Sequence, residues 1–557
     1  MTGSFHWLDY TVVFAYLAVS LGLGIAMRKQ SNREEFFSAG RSMGRITVGL
    51  SVMATLFSAN SFVMYPSTAY GNSLRIWMAL VAFWLMGPIV VWVFIPVYSR
   101  LNCGTAYEYL EKRFHYSVRC LASALFILLR ISWMAAATFA ASVAISGISG
   151  LNQYLVIVGL GVVAIAYTML GGLRAVMWTD VLQFFVFFGT IIFATGLLIS
   201  QSDGGATQIV ETYFAGRENL LLDFTLDPVF RFGTIAILVG SFLEGLSAFG
   251  ADQVAVQRYI AARDTRTSQM GFLINLIGML IVIPGLLAIG AGLFSYFHHH
   301  PGDLAPVAIE QIVDPNNTKA DTIRSRLAES EATAPTSELA LQEYYGRNPD
   351  QLHADVVTLG LNDQAMPQFV RLRFPPGVVG LLVAALMAAT MSSIDSGIHS
   401  VTTAIVVDFR DRLFPGLIPK SEDREMLVAR VLVVLVGALA IALACFVGQL
   451  GDVFAVAKKT VGAFSAPLLS MFILGLFVTR ARSTGVFIGT FVGAAFAGWV
   501  IFAFSNWFAM WLFPIGFFGS VAVSMLLSML PLPGNEPPKG RPLTFWAVQS
   551  SQPNEKQ

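Results

Sequence analysis

Long apolar runs alternate with short polar connections over most of the 557 residues of this chain. A run of about 20 apolar residues is long enough to cross the hydrocarbon core of a bilayer as a helix. By this criterion the pattern predicts thirteen membrane-spanning helices, at residues 8–27, 46–70, 76–98, 120–148, 152–171, 175–200, 231–256, 270–297, 374–408, 427–449, 454–478, 483–505 and 510–530. We therefore expect an all-α integral membrane protein.

Two of these spans contain polar residues that a helix facing lipid would not carry. The second span includes SVMATLFSANSFVMYPSTAY (51–70), and the seventh includes VGSFLEGLSAFGADQ, which starts at Val239. An unsatisfied polar group in hydrocarbon is costly, so irregular backbone at membrane depth persists only where it is packed in protein or lines a cavity. Broken helices in corresponding positions of two halves indicate a solute and ion site near the midplane, as in a secondary transporter.

Composition agrees with a membrane protein and excludes other classes. Hydrophobic residues make up 55% of the chain and charged residues 12%, whereas soluble domains carry about 25% charged residues. The net charge of +1 gives no basis for a nucleic-acid partner. The three cysteines form neither a metal-binding spacing nor a disulfide framework. No HExxH motif is present, and we do not expect an enzyme.

Basic residues predict the orientation of the chain, because cytoplasmic connections are enriched in lysine and arginine. They are concentrated after spans one, three, seven, nine, eleven and thirteen; those counted after the seventh are Arg258, Arg263 and Arg266. This places the amino terminus outside and the carboxyl terminus inside a plasma (inner) membrane. Residues 298–373 then form an outer loop, in which DTIRSRLAESE predicts a short helix, and residues 531–557 form a cytoplasmic tail.

Four segments carry the most specific signal in the chain: TAYEYLEKRF, YTMLGGLRAVMWTDVLQ, DQVAVQRYIAAR and AALMAATMSSIDSGIHS. Together they resemble the sodium/solute symporter family, and within it the branch of iodide, monocarboxylate and multivitamin symporters. The resemblance runs from about Glu34 to the segment that starts at Thr460. It implies a transporter fold of two inverted five-helix repeats, at about 46–200 and 231–478, within a single domain over 1–530.

The resemblance also implies what the protein does. We expect a sodium-coupled symporter that imports a small solute by alternating access, with Na⁺ as the coupling ion and a monomer in the bilayer as the sufficient unit. Two alternatives stay open. One is a transporter-like sensor that signals through a separate partner, and the other is a symporter of neutral sugars.

Ser392 and Ser393 are adjacent hydroxyl residues in an otherwise apolar helix. Sodium is a hard cation, and hydroxyl and carbonyl oxygens suit it as ligands. Serines in membrane helices also donate to the carbonyl of their own preceding turn, which would be a purely structural role. The resemblance implies a sodium site formed by these two hydroxyls and the carbonyl oxygens of Ala54, Phe57 and Ala389.

Asp180 and Asp395 lie within predicted spans, where an ionisable residue suggests a functional role. The resemblance implies a second sodium site formed by Asp180, Ser392, Asp395 and Ser396. An acid at position 395, where relatives carry a hydroxyl, would strengthen a cation site or allow a proton to substitute. The alternative for Asp180 is a salt bridge near the cytoplasmic face, for example with Arg174.

The residues expected around the solute are Asn60, Ser61, Arg130, Glu244 and Ala248. Sugar-binding relatives carry an acid and an amide at the positions of Asn60 and Ser61, and an aromatic gate at Ala248, so their binding mode is not expected here. An arginine within a span can clamp a carboxylate with two parallel hydrogen bonds. Alternatively, Arg130 pairs with Glu244 or another acid and holds helices together. We expect a small anionic or polar organic solute, with a carboxylate favoured.

Overall fold

Helices form all the regular structure of the described residues, apart from one isolated β-bridge between Met43 and Ala262. The computed structural model describes residues 5–30, 32–71, 73–215, 217–329, 338–417, 421–448, 453–504, 506–534 and 542–550. Within them, eleven helices are long and apolar enough to cross a membrane, and two shorter helices joined at 63° form a further span. The all-α membrane fold predicted from the sequence is confirmed.

The helix from Gln153 to Ser200 contains 48 residues but reverses direction at Gly172. A straight helix of that length would measure about 72 Å, more than twice the hydrocarbon thickness. The Gln183 amide nitrogen lies 3.5 Å from the Tyr167 hydroxyl, although 16 residues of straight helix would separate their backbones by about 24 Å. Gly172 has a φ of +55°, and a Cβ atom there would lie 2.9 Å from Phe36. The reversal separates two spans and brings the total among the described residues to thirteen, the number predicted.

The membrane helices are numbered in chain order, with letters for the two halves of a broken span. They are α1 (Trp7–Ala26), α2a (Arg45–Leu56), α2b (Ala59–Gly71), α3 (Arg75–Arg100), α4 (Tyr116–Ser149), α5 (153–171), α6 (173–200), α7a (Thr234–Ala251), α7b (Gln253–Ala261), α8 (Thr265–His299), α9 (Val378–Leu413), α10 (Glu422–Val447), α11 (Val453–Phe477), α12 (Ser483–Ala503) and α13 (Ala509–Met529). Shorter helices connect them at Arg33–Ser38, Ala106–Arg113 and Gly205–Phe214.

Both predicted interruptions are present. Helix α2a ends at Leu56, Phe57 is extended (φ −87°, ψ 109°), and α2b starts at Ala59. Helix α7a widens into a π-helical turn over Ser247–Ala251, and Asp252 is extended (φ −86°, ψ 129°) before α7b begins. At each break, backbone groups lack their helical partners and become available to side chains or ligands.

The spans pack as two groups that meet at these breaks. Helix α8 packs along α2a and α2b, and α7a packs against α3; we call α2, α3, α7 and α8 the bundle. Helix α9 packs against α4, α5 and α6, and α10 packs against α4 and α5; we call α4, α5, α6, α9 and α10 the scaffold. The division places each broken helix in the bundle, with its break facing the scaffold.

The described residues of the segment 298–373 form a cap of short helices rather than an extended loop. It contains helices Ala305–Val313, Asp321–Glu329, Glu338–Arg347, Pro349–Leu359 and Ala365–Arg373, and the second of these is the short helix predicted from DTIRSRLAESE. The cap contacts the end of α2b, where the Tyr70 hydroxyl lies 2.6 Å from His353 Nδ1. Burial, together with the neighbouring His298 and Arg217, lowers the pKa of His353 to about 3. This histidine is therefore neutral.

Part of the predicted tail, residues 535–541 and 551–557, lies outside the described residues. Between these stretches, Phe545–Ser550 forms a short helix on which Phe545 and Val548 are buried. The Tyr109 hydroxyl donates to the Leu543 carbonyl at 3.1 Å. This part of the tail is therefore packed against the helical body.

Candidate solute and sodium sites

A cavity of about 170 Å³ lies where the breaks of α2 and α7 face the scaffold. Its wall reaches Ile76 at the start of α3 and Met510 at the start of α13. These helix ends are on the side of the molecule that carries the 298–373 cap. The cavity thus extends from the middle of the membrane helices toward that face, as expected for a solute site in a transporter.

All five residues predicted around the solute line this cavity: Asn60, Ser61, Arg130, Glu244 and Ala248. Asn60 and Ser61 are in the first turn of α2b, immediately after the break. Glu244 and Ala248 are one turn apart on α7a, and Arg130 is in the middle of α4. The fold brings together residues from three helices that are distant in sequence, and their role in binding stays a prediction.

Arg130 is paired with Asp252, the residue at the break of α7. Its Nε lies 3.2 and 3.0 Å from the two carboxylate oxygens of Asp252, and its Nη2 also donates to that carboxylate. The side chain of Arg130 is 17% exposed and that of Asp252 is 2% exposed. The sequence-based alternative named Glu244 or another acid as the partner; the structure gives Asp252, because the break of α7 turns its carboxylate toward α4.

Aromatic and small polar side chains complete the wall of the cavity. Phe83, Trp133 and Phe249 provide aromatic surface, and Ser241 and Ser465 provide hydroxyl groups. Pockets for small molecules are typically apolar with a few polar groups that fix orientation. The wall of this cavity has the composition of such a pocket.

The residues predicted for the sodium site also converge. The Ser392 hydroxyl lies 3.0 Å from the carbonyl oxygens of both Ala54 and Ala389, and the Ser393 hydroxyl lies 3.4 Å from the Ala389 oxygen. Phe57 lines a void of about 10 Å³ together with Ala54, Ala389 and Ser392. Ser392 thus makes the structural back-bond considered from the sequence, and it also reaches across to the break of α2.

Three carbonyls and two hydroxyls would offer a neutral set of five oxygens. The carbonyl oxygens of α2a come from its last turn, where no further helical N–H is available to them. Hard cations such as sodium take oxygen ligands of this kind. The donor set therefore fits Na⁺, with ligands from the bundle (α2) and the scaffold (α9).

Asp180 lies in a second polar cluster, and its partner is Arg258. The Asp180 carboxylate accepts from the Ser51 hydroxyl at 2.5 Å and from Arg258 Nη2 at 2.9 Å. The same guanidinium donates to the hydroxyl of Ser396. A salt bridge was the structural alternative for Asp180, but Arg174, the partner named for it, instead donates to the Ala39 carbonyl and the Ser42 hydroxyl.

Asp395 completes this cluster. Its carboxylate accepts from the Tyr167 hydroxyl at 2.5 Å and from the Ser396 hydroxyl at 3.1 Å. Asp180 Oδ1 and Gln183 Oε1 are buried without a hydrogen-bond partner among the described residues. Two carboxylates with one guanidinium leave a formal charge of −1, and buried acceptors without donors are costly. One further monovalent cation would satisfy both conditions, and the second ion stays a prediction.

Two functional candidates were missed or misplaced by the sequence-based reasoning. Asp252 was not singled out, although an acid directly before a helical segment is a typical N-cap and would have marked the break. Arg258 was counted among the basic residues on the cytoplasmic side, but it is 0% exposed inside the protein. Its position in α7b, after the break, explains the error: the apolar run had already ended while the chain was still in the interior.

A model of the sodium:solute symporter family matches residues 36–331 and 337–493. The chain is 27% identical to the sodium/sialic acid symporter NanT of Aliivibrio fischeri, covering 89% of this chain and 88% of that protein. It is 28% identical to the human sodium/iodide cotransporter, covering 88% and 69%. It is 29% identical to the rabbit (Oryctolagus cuniculus) sodium-dependent multivitamin transporter, covering 90% and 71%.

Among solved structures, an outward-open, substrate-bound Na⁺-coupled sialic acid symporter has the same fold. It superimposes with a TM-score of 0.76 at 23% identity and covers 95% of this chain and 99% of that chain. The inverted-repeat transporter fold expected from the sequence is therefore confirmed.

Proposed function

We propose, since this chain belongs to the sodium:solute symporter family, that it imports a small carboxylate-bearing solute together with sodium. Family membership makes it a sodium-coupled transporter that crosses the membrane several times. The proposal concerns the class of solute, the residues that bind it and the way in which the two cargoes are coupled.

The observation that carries the proposal is the way in which Arg130 binds a carboxylate. Its guanidinium stands in the wall of the cavity and holds one carboxylate, that of Asp252, through Nε and Nη2. The planar fork of arginine matches a carboxylate in this way, whereas a lysine would act only as a point charge. A solute carboxylate would find the same donors. Relatives named for sialic acid and for monocarboxylates give this solute class further support.

Sodium would bind at the break of α2, between the carbonyls of Ala54, Phe57 and Ala389 and the hydroxyls of Ser392 and Ser393. Because these ligands come from both the bundle and the scaffold, the ion would fix the break and so position Asn60 and Ser61 in the cavity wall. The bundle would then rock against the scaffold to expose both cargoes on the other side. An inward positive charge gains about 2.3 kcal/mol per 100 mV of membrane potential.

We further propose that a monomer in the plasma membrane suffices, that residues 1–530 form one transport domain, and that the amino terminus is outside. The concentration of basic residues supports this orientation. A cysteine added at each terminus would test it in intact cells. Labelling of the carboxyl-terminal cysteine by a membrane-impermeant reagent would reverse the assignment.

Uptake into proteoliposomes tests the solute class. Radiolabelled sialic acid, lactate, iodide and galactose would be supplied with an inward sodium gradient, and with potassium in place of sodium. We expect sodium-dependent uptake of a carboxylate. Uptake of galactose alone would favour the neutral-sugar alternative, and sodium-dependent binding without any uptake would favour the sensor.

The matched variants are Arg130→Lys and Arg130→Gln. For the carboxylate that is transported, Arg130→Lys should raise the half-saturating concentration at least about tenfold, or about 1.4 kcal/mol, and Arg130→Gln should raise it further. Sodium binding in the absence of solute should stay near wild type. An unchanged half-saturating concentration in Arg130→Gln would reject Arg130 as the carboxylate ligand.

A further inference from the structure

The Arg130–Asp252 ion pair crosses the cavity from one helix group to the other. Arg130 belongs to α4 in the scaffold, whereas Asp252 lies at the break of α7 in the bundle. Any rocking of the bundle against the scaffold has to carry this pair along or separate it. Separating it would leave the carboxylate of Asp252, which is 2% exposed, without its partner, and an uncompensated buried charge is strongly unfavourable.

Asp252 is also rigidly attached to the bundle. Its carboxylate caps α7b by accepting from the Val254 backbone N–H at 2.8 Å. Six residues after Asp252, on the same short helix, Arg258 contacts Asp180 and Ser396 of the scaffold. A displacement of Asp252 is therefore transmitted through one helix to the cluster beside the proposed sodium site.

We propose that this pair is a solute-operated lock that prevents sodium from being carried alone. Without solute, Asp252 occupies the Nε and Nη2 donors of Arg130 and holds the bundle on the scaffold. An anionic solute competes for the same donors, because one N–H cannot serve two carboxylates in full, and its binding releases Asp252. The inference rests on the proposed function and makes Asp252 a residue that determines specificity, since a neutral solute would not displace its carboxylate.

The lock predicts a leak that is measured without any solute. Proteoliposomes holding wild-type protein, under an inward sodium gradient and an inside-negative potential, should take up ²²Na⁺ slowly. Asp252→Asn removes the charge but keeps a side chain that caps helices well. We expect the solute-free sodium flux to rise at least about fivefold, as the locked population falls. Arg130→Lys, which keeps the charge but loses the fork, should give an intermediate flux.

Asp264→Asn is the matched control. Asp264 caps α8 by accepting from the Thr267 N–H at 2.7 Å, but it is exposed and remote from the cavity. The same chemical change there should leave the solute-free flux at the wild-type level. Adding Ser392→Ala and Ser393→Ala to Asp252→Asn should abolish the leak, because the sodium would cross through its proposed site.

The outcomes separate the lock from the proposed function. Asp252→Asn counts as folded if its gel-filtration profile matches that of the wild type. A solute-free sodium flux at the wild-type level in this variant would overturn the lock, even if the protein transports a carboxylate. A leak that survives loss of Ser392 and Ser393 would overturn it as well, because the path would then be non-specific. Should Asp252→Asn fail to fold, the double variant Arg130→Gln/Asp252→Asn, which leaves no unpaired charge, must show the leak.

Discussion

Replacing Ser392 and Ser393 by alanine is the most direct test of the sodium site. The double substitution removes both hydroxyls from the proposed set of five oxygens and adds no bulk. It leaves the carbonyls of Ala54, Phe57 and Ala389 in place. One of these, the Ala54 oxygen, lies 3.0 Å from the Ser392 hydroxyl, so the variant also removes a bond between α9 and the break of α2.

The size of the effect follows from the number of ligands lost and replaced. A hydrogen bond to a charged group contributes about 1.5–3 kcal/mol, and we take this as the scale for one hydroxyl ligand. The void beside the site measures about 10 Å³, which is close to the space that a single water needs. One water can thus replace one hydroxyl, and the net loss of one ligand weakens sodium binding about tenfold to a hundredfold.

Sodium-dependent thermal stabilisation of the purified protein measures this loss directly, with ²²Na⁺ binding as a second readout. Ser400→Ala is the matched control. Ser400 is a buried serine on the same helix, and its hydroxyl donates to Gln257 at 2.7 Å. Ser400→Ala should lower the free energy of unfolding by about 1 kcal/mol without changing the dissociation constant for sodium. An unchanged sodium constant in a folded double variant would refute the site.

Three further predictions address the second cation, the reversal at Gly172 and the cap. If Asp180 and Asp395 hold a second cation, Asp180→Asn or Asp395→Ser should lower the charge moved per solute or the steepness of the sodium dependence; wild-type values for both would assign these residues structural roles. Gly172→Ala should lower the unfolding temperature, because φ is +55° and ψ is −156° there. This backbone region is open almost only to glycine, and a residue with a Cβ in such a region costs about 1–3 kcal/mol. Gly159→Ala, in open space within α5, should not lower it. The pKa of His353 falls from 6.5 to about 3 on folding, so the folded state disfavours the protonated imidazole. The free energy of unfolding should therefore decrease below about pH 6.5, by about 1.4 kcal/mol per pH unit. The unfolding temperature of His353→Gln should lack this pH dependence, and an equal pH dependence in both proteins would contradict the prediction.

The membrane fold was accessible from the sequence because its signal is repeated and strong. Each span needs about 20 apolar residues, and even the hairpin at Gly172 left two separate apolar windows, at 152–171 and 175–200. The cap at 298–373 was harder to predict, because its helices are 9 to 11 residues long. Helices of that length depend on packing rather than on a pattern visible in a window.

The candidate sodium residues came from the family resemblance, whereas the residues alone had favoured a purely structural role for Ser392 and Ser393. The charged partners were the harder part. Arg130 and Asp252 are 122 residues apart and Asp180 and Arg258 are 78 apart. Which acid meets which base depends on the rotation of each helix and on where a broken helix turns. Those features are fixed by tertiary packing, and local sequence carries little information about them.

Helix α7b connects the two ion pairs, Arg130–Asp252 and Asp180–Arg258. At the amino-terminal end of α7b, Asp252 pairs with Arg130 in the wall of the cavity. Near the carboxyl-terminal end, Arg258 pairs with Asp180 beside the proposed sodium residues. Six residues of helix separate the two contacts by about 9 Å, and the helix is continuous over Gln253–Ala261. The proposed solute cavity and the ion cluster are therefore joined by a helix rather than by a loop. This is the physical reason to expect that a change confined to the charge of Asp252 alters the sodium flux even when no solute is present.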